Sequence, residues 1–225
     1  MIDLKVNLLQ VLKSLPEIVK LVAVSKTHPV EDILELYDAG QRVFGENRVQ
    51  EFIEKYPKLP TDIEWHFIGH LQTNKVKQIV PLVHTIHSVD SFKLLKEIDK
   101  EAAKVQRCIS CLFEFHIADE DSKFGLNLNS ASEFLSSPEY FALKNVQIIG
   151  VMGMATFTDD HNQVRIEFRK LRSIFDSLRQ AFFVSDKRFK EISMGMTLDY
   201  PIAIEEGSTM VRIGSAIFGE RTSIR

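Results

Sequence analysis

Two hydrophobic periods alternate along the chain. Short unbroken apolar runs, the pattern of a strand covered on both faces, are separated by stretches where apolar residues return every three or four positions, as along one buried stripe of a helix. The strand-like runs fall at 20–26, 42–45, 64–69, 85–88, 108–116, 146–155, 189–193 and 209–213. The helical ones fall at 30–39, 49–55, 74–80, 92–105, 130–135, 163–182 and 200–205. A short amphipathic helix over 3–14 precedes them, with Leu4, Leu8, Val11 and Leu12 on one face, and a last short helix is expected after Gly219. Glycine or proline marks many joints, as at Gly40, Pro57, Pro81, Pro138 and Gly207. Strands alternating with helices imply βαβ units and a parallel sheet. Eight in succession, with no linker or shift of composition, favour a single α/β domain over 1–225: a (β/α)8 TIM barrel with a short N-terminal helix. A doubly wound open sheet is the second choice.

Composition narrows the function. The 225 residues are 44% hydrophobic and 26% charged, ordinary values for a globular chain. A net charge of -3 leaves no broad basic field for nucleic acid. No apolar run reaches the roughly 20 residues of a membrane span, and Met1-Ile2-Asp3-Leu4-Lys5 lacks the layout of a secretion signal. Two cysteines cannot make a disulfide framework. A cytoplasmic protein is expected, and with no obvious exposed apolar patch, a monomer.

Candidate chemistry begins at the end of the first strand. Leu21-Val22-Ala23-Val24-Ser25 runs into Lys26, whose stem would lie in apolar surroundings with its amine at the rim of the sheet. Desolvation there lowers an ammonium pKa and frees the amine to attack a carbonyl. A lysine merely snorkelling out of a strand end is the commoner reading of any one such residue. The loops after strands seven and eight change the balance, because a barrel commonly holds phosphate there. They read Ser193-Met194-Gly195-Met196-Thr197 and Arg212-Ile213-Gly214-Ser215-Ala216. Each supplies a glycine for close backbone approach and a hydroxyl for an anion, and the second enters a helix-like turn with outward amides.

A lysine facing a phosphate rim suggests a Schiff base with a phosphorylated aldehyde or ketone. Pyridoxal 5'-phosphate and a sugar-phosphate aldolase substrate both fit. Arg212 tilts the reading to pyridoxal phosphate: a guanidinium that keeps its proton would donate to the pyridine nitrogen and leave the ring a weaker electron sink than an acidic partner would. Such a ring suits mild racemisation or plain cofactor holding.

A longer set of motifs carries a resemblance. Ala23-Val24-Ser25-Lys26, Phe44-Gly45-Glu46-Asn47, Trp65-His66-Phe67-Ile68-Gly69-His70-Leu71-Gln72-Thr73-Asn74-Lys75 and His87-Ser88-Val89-Asp90-Ser91 are followed by Lys123-Phe124-Gly125, Gly150-Val151-Met152-Gly153-Met154, Ser193-Met194-Gly195-Met196 and the run from Gly207 to Gly219. In these stretches, over nearly its whole length, the chain resembles the pyridoxal phosphate homeostasis (YggS-like) family. The resemblance implies a barrel similar to the amino-terminal domain of alanine racemase. It implies that Lys26 forms the Schiff base and that Arg212 faces the pyridine nitrogen. Ser193, with the backbone of Met194, Gly214 and Ser215, would hold the phosphate. Asn47 and Met152 would lie beside the ring, with His70 in the cavity wall. The family is thought to store, deliver or buffer the cofactor for apoenzymes and to affect amino- and keto-acid balance. Thr197, where serine is usual, and Leu198-Asp199-Tyr200-Pro201 depart from its pattern near the phosphate rim.

The competing function is a low-activity amino-acid racemase. Two-base racemisation in the related enzyme needs a tyrosine from a further domain, and this chain is expected to have none. Tyr37, Tyr56, Tyr140 and Tyr200 fall in outer helices or loops. Other signals are set aside. Cys108 and Cys111 point to opposite faces of a strand and read as buried structural cysteines rather than a metal pair. His66 and His70 read as core or cavity histidines. Glu46 is expected to pair with a neighbouring cation such as Arg48, and the basic helix around 168–179 to be solvated on its charged side. Lys123 is a weak candidate for a second phosphate site.

Overall fold

The computed structural model describes residues 3–119 and 125–219. Eight parallel strands close on themselves in sequence order: β1 (Lys20–Val24), β2 (Val43–Glu46), β3 (Glu64–Phe67), β4 (Thr85–Val89), β5 (Ile109–Glu114), β6 (Val146–Met152), β7 (Glu191–Ser193) and β8 (Met210–Ile213). β8 returns to pair with β1, with Val22 opposite Arg212. The open-sheet alternative is thereby excluded. Helices α2 (Val30–Asp38), α3 (Val49–Lys55), α4 (Val76–Ile79), α5 (Phe92–Lys104), α6 (Leu128–Leu135), α7 (Pro138–Phe141), α8 (His161–Phe182), α9 (Tyr200–Glu205) and α10 (Ser215–Phe218) follow the strands in order. Their apolar stripes bury Ile33, Leu36, Phe52, Leu94, Leu95, Ile98, Phe168, Leu171 and Leu178 against the sheet.

The opening helix α1 (Leu4–Ser14) is capped by Asp3 and buries Leu4, Leu8 and Val11, while Leu12 is exposed. It lies outside the ring, and the Asn7 side-chain amide donates to Ile217 O (3.0 Å), which ties it to α10. That helix comes before Gly219, and the short helix expected after this glycine falls outside the described residues. Several other boundaries differ from the pattern, chiefly at strand ends. β1 stops at Val24, and β5 and β6 stop before 116 and 155, because their apolar runs continue into loops that climb to the barrel mouth. α7 is an extra turn, opened by Ser137, which accepts from the Tyr140 amide, and by Pro138 at the first helical position. The basic face of α8 is ion-paired as well as solvated: Arg165 and Arg169 reach Glu205 and Glu206 at the end of α9.

Candidate functional site

The carboxyl ends of the strands open into a cavity of about 970 Å³, near the upper end of the range for small-molecule sites. Lys26, two residues past β1 and half-buried, is on its wall. The backbone on either side of this lysine is held from behind by α3. Lys55, buried in the last turn of that helix, donates to Ser25 O (2.8 Å), Glu46 Oε1 (2.8 Å) and Glu51 Oε1 (2.6 Å), which uses all three ammonium protons. The Ser25 hydroxyl donates to the same Glu46 oxygen (2.7 Å), and the Thr27 amide to Glu51 Oε1 (2.5 Å). Thr27 takes a φ of 68°, a left-handed conformation unfavourable to a β-branched residue, so the turn that presents Lys26 depends on this anchorage. Burial raises the Glu46 carboxyl above the usual range, and Lys55 opposes that rise.

Arg212, on the strand beside β1, is only 4% exposed and still lines the cavity. Its Nη1 donates to Ser193 O (2.8 Å) and Ser193 Oγ (2.7 Å), and its Nη2 to Gly153 O (3.1 Å). Burial pulls its pKa down to about 10, against the opposing charges of Asp199 and Glu114, so it remains a cation at neutral pH. Glu114 faces the cavity from β5, opposite β1 in the ring; burial, with Asp90 nearby, pushes its carboxyl up to about 7. Asp90 also pairs with His70 (3.3 Å), on the wall just past β3.

Two loops make the rim beside Arg212. After β7, Gly195 turns at a φ of 94°, where a Cβ would come 2.6 Å from that of Ala203. Asp199 then accepts from the Met196 amide (2.5 Å), and the turn brings Thr197 to the cavity. After β8, Gly214 and Ser215 start α10, whose first amides have no partner within the helix and no capping side chain. On the far side, Gly69 lets two loops touch: a Cβ there would lie 2.2 Å from Asn47 O, and Asn47 lines the cavity. Glu167, buried in α8, holds the β6 loop and the loop after β5 together. It accepts from the Thr156 amide (2.7 Å) and hydroxyl (2.8 Å) and from the Asp119 amide (3.1 Å).

Of the residues singled out from the sequence, Lys26, Asn47, His70, Arg212, Gly214 and Ser215 line this one cavity. Met152, Ser193 and Met194 are buried behind it. Met152 packs within β6 in register between Glu114 and Ser193. The Ser193 hydroxyl points into the barrel, bonded to Arg212 and to His87. The Met194 amide is bonded to Met210 O (3.2 Å). The chain leaves the barrel only at Gly195, so the hydroxyl that the β7 loop offers to the cavity is that of Thr197. Glu46 pairs with Lys55 rather than Arg48. Cys108 precedes β5 and is exposed, while Cys111 is buried. Apolar side chains do stand exposed at the mouth: Met154, Phe157, Met196 and Leu198. Lys123 lies outside the described residues. Sequence reasoning missed Lys55, Glu167, His87 and Glu114. Only Glu114 left a local signal, as the one carboxylate in the apolar run 108–116.

A family model described as alanine racemase, N-terminal domain, matches residues 2–222. The pyridoxal phosphate homeostasis protein of Aquifex aeolicus is 44% identical over 204 residues, covering 90% of this chain and 87% of its own. That of Synechocystis is 35% identical over 214 residues, covering 94% and 96%. PipY of Synechococcus elongatus, solved without PLP, superposes with a TM-score of 0.90 at 36% identity over 96% of this chain and 100% of PipY. The same protein with PLP bound gives 0.87. Alanine racemase of Clostridium difficile, at 16% identity and a TM-score of 0.80, shares the fold over 99% of this chain and 60% of its own. By the family model and by relatives matched over most of both lengths, the chain belongs to the pyridoxal phosphate homeostasis protein family.

Proposed function

We propose that the chain binds pyridoxal 5'-phosphate as a Schiff base on Lys26 and serves homeostasis of that cofactor, as a cytoplasmic monomer that carries or buffers it for apoenzymes and bears on amino- and keto-acid balance. One observation carries the reading: a lysine past β1, a buried cationic arginine on β8 and two glycine- and hydroxyl-bearing loops converge on one cavity. PipY, at 36% identity, has been solved with PLP bound.

When bound, the cofactor supplies an aldehyde for an amine to capture and a ring that withdraws electrons. Lys26, on the cavity wall just past β1, is the amine that would capture that aldehyde. Thr197, Gly214 and Ser215 meet the phosphate with hydroxyls and helix-start amides. Arg212 donates to the ring nitrogen without surrendering its proton. Asn47 and His70 flank the ring on the cavity wall. Ser193, which the family pattern puts at the cofactor together with Met152 and Met194, accepts from Arg212 at the back of the cavity. The weaker electron sink favours holding over racemisation, and among the described residues no tyrosine lines the cavity to serve as a second base.

The test is an absorption spectrum with pyridoxal phosphate, before and after borohydride, for the wild-type protein and Lys26→Ala. A visible band lost in the variant, with the reduced adduct mapped to Lys26, supports the reading. No band, or one that the variant carries equally, refutes it and restores the sugar-phosphate alternative. Inversion of L-alanine that disappears in Lys26→Ala would replace the carrier by the racemase.

A further inference from the structure

The barrel interior holds a polar chain where such cores are ordinarily filled by branched apolar residues. His66 on β3, His87 on β4, Ser193 on β7 and Arg212 on β8 are each at most 4% exposed. His66 Nδ1 meets His87 Nε2 at 2.8 Å, His87 Nδ1 meets Ser193 Oγ at 3.0 Å, and Arg212 Nη1 donates to that hydroxyl at 2.7 Å. β4 and β7 are not neighbours, so the contact between His87 and Ser193 crosses the inside of the ring.

Donor and acceptor chemistry gives this chain a direction. A guanidinium only donates. Ser193 Oγ therefore accepts from Arg212, and its own proton has one partner in reach among the described residues, His87 Nδ1. That nitrogen must then be bare, which puts the His87 proton on Nε2 and directs it at His66 Nδ1. His66 in turn carries its proton on Nε2. The reverse arrangement, with His87 donating to Ser193, would strand the serine proton in the core, at the cost of an unmade hydrogen bond. Neither ring takes a second proton. Burial pulls His66 down to about 3 and His87 well below the usual range, and the charges of Lys20 and Arg212 act in the same sense on His87.

We propose that Ser193, His87 and His66 are positioning residues that fix Arg212 as a hydrogen-bond donor into the cavity, through a one-way relay in which both imidazoles are neutral and protonated at Nε2. The relay and the carbonyls of Ser193 and Gly153 engage three of the five guanidinium protons. The remaining two, the Nε–H and one Nη2–H, belong to a side chain that lines the cavity. The guanidinium can neither rotate nor withdraw without giving up its bonds to Ser193 O, Ser193 Oγ and Gly153 O, all inside the barrel. Its consequence for the cofactor rests on the reading of Arg212 as partner of the ring nitrogen; the relay itself belongs to the protein alone.

The first test therefore needs no cofactor. Long-range 15N–1H spectra of the imidazoles, recorded on the wild-type protein alone and with pyridoxal phosphate at pH 6 and 8, should show His66 and His87 as neutral Nε2–H tautomers throughout. An Nδ1–H signal for His87, or an imidazolium at either position, overturns the relay. The second test uses Ser193→Ala and Ser193→Thr. The alanine variant should release His87 into mixed tautomers. It should also shift the visible band and weaken pyridoxal phosphate by about tenfold, the scale of one lost hydrogen bond to a charged group. The threonine variant, which keeps the hydroxyl, should restore the wild-type tautomer and band. Unchanged tautomers and affinity in Ser193→Ala overturn the proposal. If the wild-type protein binds no pyridoxal phosphate, the cofactor reading fails, and the spectra of the free protein still decide the relay.

Discussion

Replacing Lys55 by methionine probes the anchorage behind Lys26. The substitution keeps most of the volume and deletes three hydrogen bonds, to Ser25 O, Glu46 Oε1 and Glu51 Oε1. Glu51 is partly exposed and can turn to water. Glu46 cannot: it is 1% exposed, its Oε2 already has no partner among the described residues, and after the substitution only the Ser25 hydroxyl faces its charge. Removing one partner of a buried ion pair costs about 3–5 kcal/mol, set mainly by the charge left behind. The loss has an escape through protonation. The folded Glu46 carboxyl is already raised by burial against the pull of Lys55, and without that pull it rises further. A carboxyl whose folded pKa exceeds its unfolded one destabilises above the folded value, and the penalty fades as pH falls through it.

Urea titrations followed by the fluorescence of Trp65, the only tryptophan, would measure this at pH 8 and pH 5. Lys55→Met should lose about 3–5 kcal/mol at pH 8 and clearly less at pH 5. Adding Glu46→Gln to Lys55→Met should recover part of the loss at pH 8 and make it insensitive to pH. A loss below about 1 kcal/mol, the scale of a surface pair, would refute the reasoning, as would an equal loss at both pH values.

Three further outcomes follow from the same geometry. Burial pushes Glu114 up to about 7 in the fold, so from the ordinary 4.5 up to 7 the folded state alone keeps its proton; across that window the wild type should lose about 1.4 kcal/mol per pH unit relative to Glu114→Gln in urea titrations, and parallel pH profiles of the two would refute the assignment. Gly69→Ala puts a methyl group 2.2 Å from Asn47 O, a clash with backbone that cannot relax by rotation; a loss of about 3 kcal/mol or more is expected by thermal denaturation, and a near-neutral result would mean that the two loops are not in contact. Glu167→Gln should cost about 2 kcal/mol and speed hydrogen exchange at the Asp119 and Thr156 amides, which it now holds; unchanged exchange at both would remove its role as a clamp.

What the sequence disclosed, and what it hid, divide along one physical line. The barrel was legible because each strand and helix declares itself through a local period, and eight alternations in order leave little choice of topology. Lys26, Arg212 and Gly214 were legible because a site at the mouth of a parallel barrel gathers residues from strand ends. The sequence says least where a local period stops carrying information. Ser193 closes a strand only three residues long, with Met194 just past its end, and nothing in Glu191-Ile192-Ser193 distinguishes a hydroxyl aimed up at the mouth from one aimed across the interior. The continued apolar runs of β5 and β6 likewise hid the points where these strands leave the sheet. The partnerships behind the site are further out of reach. Lys55 closes on Ser25 from 30 residues away, Asp119 is held by Glu167 across 48, and His87 meets Ser193 across 106. Each is a buried polar group that would be costly unpartnered, so each had to find its partner elsewhere in the fold. A lone lysine, glutamate or histidine at helical or strand spacing announces that need without naming what meets it. Closure of the ring supplies the answer: it brings β4 against β7 across the interior and folds α3 behind the turn after β1. The residues that hold the candidate lysine and arginine in place are therefore a property of the closed barrel, while the two themselves could be read from strand ends alone.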